Sequence, residues 1–171
     1  TTFGVVDWDK TNIGDENVIV LGNGKRYSID SYLLDPLLIG IFLLRESFIS
    51  GNDIWPNEEI SCFDVKVLKQ NQLQGIADFV LAKVKPKVNP ADDEVTSVKY
   101  HSGLELSVPV WYLHTQGHEL EEHLKAVFPQ LTRYRDEAAV EKEVLSKVVS
   151  DLPGMIPSDI LDLFEALQCR Y

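Results

Sequence analysis

The chain has 171 residues, 44% of them hydrophobic and 25% charged, with a net charge of -11, which suits one globular domain with a sizeable core, alone or with an appended helical segment. That charge excludes a broadly basic nucleic-acid surface while leaving room for a local groove or a DNA-binding partner, and it suits acidic sites for divalent metals. Cys62 and Cys169 lack CxxC spacing, which excludes a zinc site or disulfide framework built on them and fits a reduced, cytoplasmic interior.

Phe3 to Asp7 and Val18 to Leu21 are short apolar runs separated by turn residues, and they predict two strands. At the end of the first, Asp7 and Asp9 are two apart, so an extended strand would project both to one side about 7 Å apart. There they can share a cation; equally, Asp9 can make a turn or cap with Thr11 and Asn12. From Ile29 to about Phe48 the apolar residues are dense, Pro36 suits a first helical turn, and Gly51 with Asn52 marks the end of one buried core helix. Its longest apolar run, Leu33 to Leu44, is cut by Asp35 and Pro36 and is too short to span a bilayer. Asn71 to Val84 carries apolar residues at helical spacing and is closed by Lys85, Pro86 and Pro90. VTSVKYHSGLELSVPVWYLH predicts a hairpin turning at His101, Ser102 and Gly103, with Pro109 at an edge or bend. A helix then starts at Gly117, and two more follow, from Asp136 to Val149 and, capped by Ser158, from Asp159 to Leu167.

Three further features can carry chemistry. Ser28 and Asp30 lie two apart in RYSIDSYLLDP, where a hydroxyl and a carboxylate can reach a metal or phosphate or can simply cap the helix, with Asp35 serving the next turn. Gly117, His118 and Glu119 open a helix after a strand, a place where α/β folds collect anions; a solvated acidic face with Glu121 and Glu122 is the alternative. Asp92, Asp93 and Glu94 form an acidic run expected on a solvated loop.

Together, FGVVDWDKTN, KRYSIDSYLLDPLLIGIFLLRE and the later Gly-His-Glu resemble the TOPRIM nuclease domain of overcoming-lysogenization-defect proteins. They resemble still more the related DUF4435 domains found beside or fused to ABC-type ATPases in bacterial anti-phage defence. That family has an acidic residue ending its first strand, then Asp-x-Asp, then Ser-x-Glu in a phrase close to Tyr-x-Ile-Glu-Asn-Tyr-Leu, then Gly-Lys-Asp opening a helix. Asp7 and Asp9 match the Asp-x-Asp pair, Ser28 and Asp30 match Ser-x-Glu, and Gly117, His118 and Glu119 match the last phrase. The resemblance covers residues 3 to about 128 and is sharpest from Asp7 to Leu44. Three departures stand out: the first acidic strand has no counterpart, Asp30 is one methylene shorter than Glu, and His118 replaces a lysine, whose charge near neutral pH is permanent. Because the chain does not begin with Met and its first residue lies almost inside a strand, the missing acid is expected upstream.

The resemblance implies an α/β fold, a Rossmann-like TOPRIM sheet flanked by helices over residues 1–130, with a helical C-terminal segment over 131–171. It implies Asp7, Asp9 and Asp30 as ligands of Mg²⁺ or Mn²⁺, Ser28 beside them, and His118 near the scissile phosphate, in a nuclease that cleaves DNA or RNA. The implied setting is cytoplasmic, away from any membrane, with an ABC-type ATPase partner; homo-oligomerisation is left open. A second reading is a TOPRIM-like interaction module whose catalytic site has decayed. A third takes DWDKT, Asp7 to Thr11, as the Asp-x-Asp-x-Thr phrase of haloacid-dehalogenase-type phosphatases, with Asp7 as nucleophile and Asp9 as general acid.

Overall fold

Two short runs of β-formers pair in parallel in the computed structural model, which describes residues 4–56, 62–136 and 138–168, residues 62–64 by backbone only; Phe3 and Cys169 fall outside. Gly4–Asp7 (β1) lies beside Val18–Leu21 (β2), Gly4 opposite Val18 and Asp7 opposite Leu21. Their connection contains no helix. It is turned by two aspartates, Asp9 accepting from the N–H groups of Thr11 and Asn12, and Asp15 from those of Asn17 and Val18.

The single core helix expected over residues 29–48 is two helices, Asp30–Leu33 (α1) and Pro36–Arg45 (α2). Pro36 has no N–H and disfavours helical backbone in the residue before it, so Asp35 is extended (ψ 136°) and caps α2 by accepting the Leu37 N–H at 3.0 Å. Gly51 does not end a helix; it begins another short one, Gly51–Ile54 (α3), opened by a reciprocal Ser50–Asp53 capping box. Gln70–Val88 (α4) also outruns its expected end, passing through Pro86 to Asn89, whose left-handed backbone (φ 49°) terminates it. Proline there removes only one hydrogen bond, in the last turn.

The hairpin forms, Val95–Lys99 (β3) antiparallel to Glu105–Pro109 (β4), but its second strand stops at Pro109; the Val110–Leu113 stretch expected to extend it is helical, so the helix at Gly117 follows a helical turn and not a strand. The outer edge of β4 is closed by α4, where the Gln74 amide bonds both the N–H and the C=O of Ser107 and Gln70 donates to the Glu105 carbonyl. Among the described residues the two strand pairs remain separate sheets, so the fold is mixed α/β and predominantly helical. Val110–Leu113 (α5), Gly117–Val127 (α6), Ala139–Val144 (α7) and Ser158–Gln168 (α8) complete it, α7 widening into π-helical turns over Leu145–Val149.

The core lies where α2 crosses α4. Gly40 makes that approach possible: a Cβ there would sit 2.2 Å from Cγ2 of Ile76. Leu37, Ile41, Phe42, Ile76, Val80 and Val84 are fully enclosed, and Leu131, Val140, Val144 and Val148 from beyond residue 130 join the same cluster. No helix among the described residues is long and apolar enough to cross a membrane.

A buried ion pair fastens the Arg26–Pro36 phrase to this core. Arg26 donates to Asp35 Oδ2 at 2.6 Å and to the Ser31 carbonyl at 2.8 Å, with its guanidinium 4.9 Å from the Tyr32 ring centroid. The other oxygen of Asp35 takes the Tyr100 hydroxyl at 2.9 Å, while Tyr112 donates to the Leu34 carbonyl at 2.8 Å. Burial and the adjacent Asp35 carboxylate push the Tyr100 hydroxyl well above its usual pKa, so it remains a donor. Asp35→Ala should therefore cost about 3–5 kcal/mol, because it strands a buried guanidinium; chemical denaturation of the two proteins measures it.

Candidate functional site

Asp7 is the last residue of β1, and its Oδ1 accepts the backbone N–H of Ile29 at 3.0 Å. That bond sets the end of the strand against the Ser28–Asp30 phrase. A third segment closes on the same point: a Cβ on Gly117 would lie 2.7 Å from the Asp30 Cβ, 2.8 Å from Ser28 Oγ and 3.2 Å from Asp30 Oδ2. Glycine is thus required where α6 begins, since any larger side chain would push Ser28 and Asp30 away. Ser28 is 7% exposed and its Oγ has no hydrogen-bond partner among the described residues. Gln116, the residue before α6, gives no side-chain cap, which leaves first-turn N–H groups available to an anion.

Asp9 does not share a strand face with Asp7, because β1 stops at Asp7 and the chain turns. Asp9 Oδ1 accepts the Thr11 hydroxyl at 2.7 Å and the Thr11 and Asn12 N–H groups at 3.0 and 2.9 Å, and the Asn12 amide donates to the Asp7 carbonyl at 2.8 Å. The Thr11 hydroxyl, followed by these two N–H groups, holds the Asp9 carboxyl below its ordinary pKa. His118 occupies the first turn of α6 but extends into solvent, 77% exposed, with Nε2 at 3.4 Å from Glu122 Oε1. Asp93 of the loop acidic run pairs with Lys85 at 2.6 Å, both exposed.

Two carboxylates that the sequence pattern did not single out as site residues flank this place. Glu121 on α6 and Glu141 on α7 are 7% and 4% exposed, and Glu121 is held by Lys125 at 2.8 Å. Burial raises the pKa of Glu141 to about 7, reinforced by the neighbouring charges of Glu121 and Asp30 and opposed by Lys125. In sequence both glutamates sit in charged helical runs that look solvated; only the packing of α6 and α7 against α1 encloses them. Asp7 is felt at Tyr32 as well, whose hydroxyl is pushed up to about 12, by burial first, with Arg26 opposing and Asp159, Asp7 and Asp162 adding to it.

Asp7, Ser28, Asp30 and Gly117 are therefore drawn together from three separate stretches of chain, while Asp9 serves a turn and His118 a solvated helix face. Among the described residues no group of three or more His, Cys, Asp and Glu side chains is arranged to hold a metal ion. Compared with known protein families, with curated proteins and with solved structures, the chain matches none.

Glu141 gives the site a pH signature. Its folded pKa of about 7 lies above the unfolded value of about 4.3, so the folded chain binds the extra proton between those values and stability falls as pH rises through that window. The loss should be on the order of 3 kcal/mol by pH 8. Glu141→Gln should be the more stable protein at pH 8 and lose this slope, as urea denaturation across pH 5–8 would record.

Proposed function

We propose that this chain is the phosphodiester-cleaving part of a metal-dependent TOPRIM-type nuclease, with Asp7 and Asp30 as its carboxylates. The observation that carries the reading is the convergence of Asp7, Ser28, Asp30 and Gly117 at one point. In the fold that accompanies it, a Rossmann-like sheet, β1 and β2 are the parallel pair that delivers Asp7 at a strand's carboxyl end.

The donors suit Mg²⁺ or Mn²⁺, hard cations that are commonly held by one or two carboxylates, with water and substrate phosphate completing the shell. Such an ion lowers the pKa of a bound water and stabilises charge on the phosphoryl oxygens. The chain's own groups do the rest. The Ile29 N–H orients Asp7, the first-turn N–H groups of α6 receive a phosphate oxygen, and the Ser28 hydroxyl has a donor to give it. The Asp9 turn fixes the loop that follows Asp7. Because a net charge of -11 gives little long-range attraction for a polyanion, an ABC-type ATPase partner supplies the backbone contacts. A second reading, an interaction module with a decayed site, is favoured by the exposed His118 and by the lack of a three-ligand group among the described residues.

Titration of the full chain with Mn²⁺, followed calorimetrically, should show a site that Asp7→Asn and Asp30→Asn each weaken about tenfold or more, at least the loss that removing even an outer-shell partner causes at a metal site. Unchanged Mn²⁺ binding in both variants would transfer the assignment to the interaction module. Gly117→Ala should weaken the same site and destabilise the fold by about 1–3 kcal/mol through overpacking, read by thermal melting beside the titration.

A further inference from the structure

We propose that Trp8, Tyr27 and His114, with Lys10, form a stacking platform for unpaired nucleobases beside Asp7, so that this site takes single-stranded rather than duplex nucleic acid. The inference rests on the nuclease reading above and names its substrate class.

The four residues come from three loops that meet at the carboxyl end of β1, Trp8 and Lys10 from the same one. Trp8 follows Asp7 directly, and its N–H donates to the Leu21 carbonyl at 3.1 Å, which fixes its backbone against β2. Its ring meets that of His114 edge-on, centroids 5.0 Å apart and planes at 65°. Such a contact consumes at most one face of each ring. The Tyr27 N–H donates to the Leu113 carbonyl at 3.0 Å, bringing Tyr27 beside His114, and Lys10 Nζ stands 5.5 Å from the Tyr27 ring centroid. Lys10 adopts a left-handed backbone (φ 70°), a conformation uncommon for any residue but glycine, asparagine or aspartate.

The bland explanation is that these rings hold the fold together. Trp55 and Trp111 do so, packing on the main hydrophobic cluster, whereas Trp8 and Tyr27 belong to neither cluster of the described residues. They remain partly exposed, and Trp8 directly follows the carboxylate that would act. Charge then decides between duplex and single strand. Duplex DNA presents phosphates outward and hides its bases, so its binding rests on phosphate contacts, which 27 acidic against 16 basic residues oppose. An unpaired base offers an uncharged face, and stacking it on an aromatic ring is indifferent to that net charge.

Binding of fluorescein-labelled oligo(dT), oligo(rU) and an oligo(dT)·oligo(dA) duplex to the full chain, in EDTA so that no metal takes part, separates the possibilities. Both single strands should bind more tightly than the duplex, with a salt dependence less steep than the duplex's. Trp8→Ala should weaken single-strand binding about tenfold, Trp8→Phe should restore most of it, and Tyr27→Ala should weaken it as well. A preference for oligo(rU) would assign RNA and the reverse DNA. Equal or tighter duplex binding, no single-strand binding, or Trp8→Ala binding like the parent with native circular dichroism would overturn the platform. The oligonucleotide binding is read without metal and the Mn²⁺ titration without oligonucleotide, so loss of the metal site and loss of the platform are read separately.

Discussion

The buried pair between Arg26 and Asp35 is the constraint on which the site depends. Two fully enclosed charges are expensive unless they are paired and hydrogen-bonded, and here each is. The guanidinium serves the Ser31 carbonyl and one Asp35 oxygen; the other Asp35 oxygen serves the Leu37 N–H and the Tyr100 hydroxyl. Between these two residues lies the phrase carrying Ser28 and Asp30. The ten residues from Arg26 to Asp35, which could wander as a loop, are pinned at one end to the cap of α2 and, through Tyr100, to the hairpin. The position of Asp30 against Gly117 follows from that pinning.

Around the pinned phrase the molecule concentrates negative charge in poorly solvated places. Burial first, and then the nearby charges of Glu121 and Asp30, let Glu141 hold its proton up to about pH 7, and one lysine, Lys125, offsets Glu121. Such an arrangement opposes stability wherever all three are ionised. It is the kind of local cost that folds tolerate where charge is put to use, and it is consistent with a site that receives a cation.

Much of the fold was legible along the chain. The parallel strands at Val18–Leu21 and before Asp7, the hairpin about Ser102, and the helix starting at Gly117 announce themselves by β-branched runs, a glycine turn and a 3.6-residue apolar spacing. The split at Asp35 was signalled too, by Pro36, yet the density of apolar residues on both sides reads as one helix, and only the extended backbone of Asp35 separates them. Likewise Gly51 and Pro86 look like breakers, but a capping box makes the first a helix start and the last turn of α4 tolerates the second.

By itself the sequence determined which side chains are available and which are neighbours along the chain: the spacing of Asp7 and Asp9, the Ser28–Asp30 phrase, and a glycine ahead of His118. Local pattern cannot say where a strand stops, and three hydrogen bonds to one oxygen of Asp9 decided that the second aspartate belongs to a turn. Nor can it say which glycine is a contact: Gly117 is important because the side chains of Ser28 and Asp30, far earlier in the chain, fill the space its Cβ would need. The burial of Glu121 and Glu141, and the meeting of Trp8 with His114, were decided by tertiary structure alone, since both depend on which helix faces are covered and which loops converge, distances that one-dimensional periodicity does not contain.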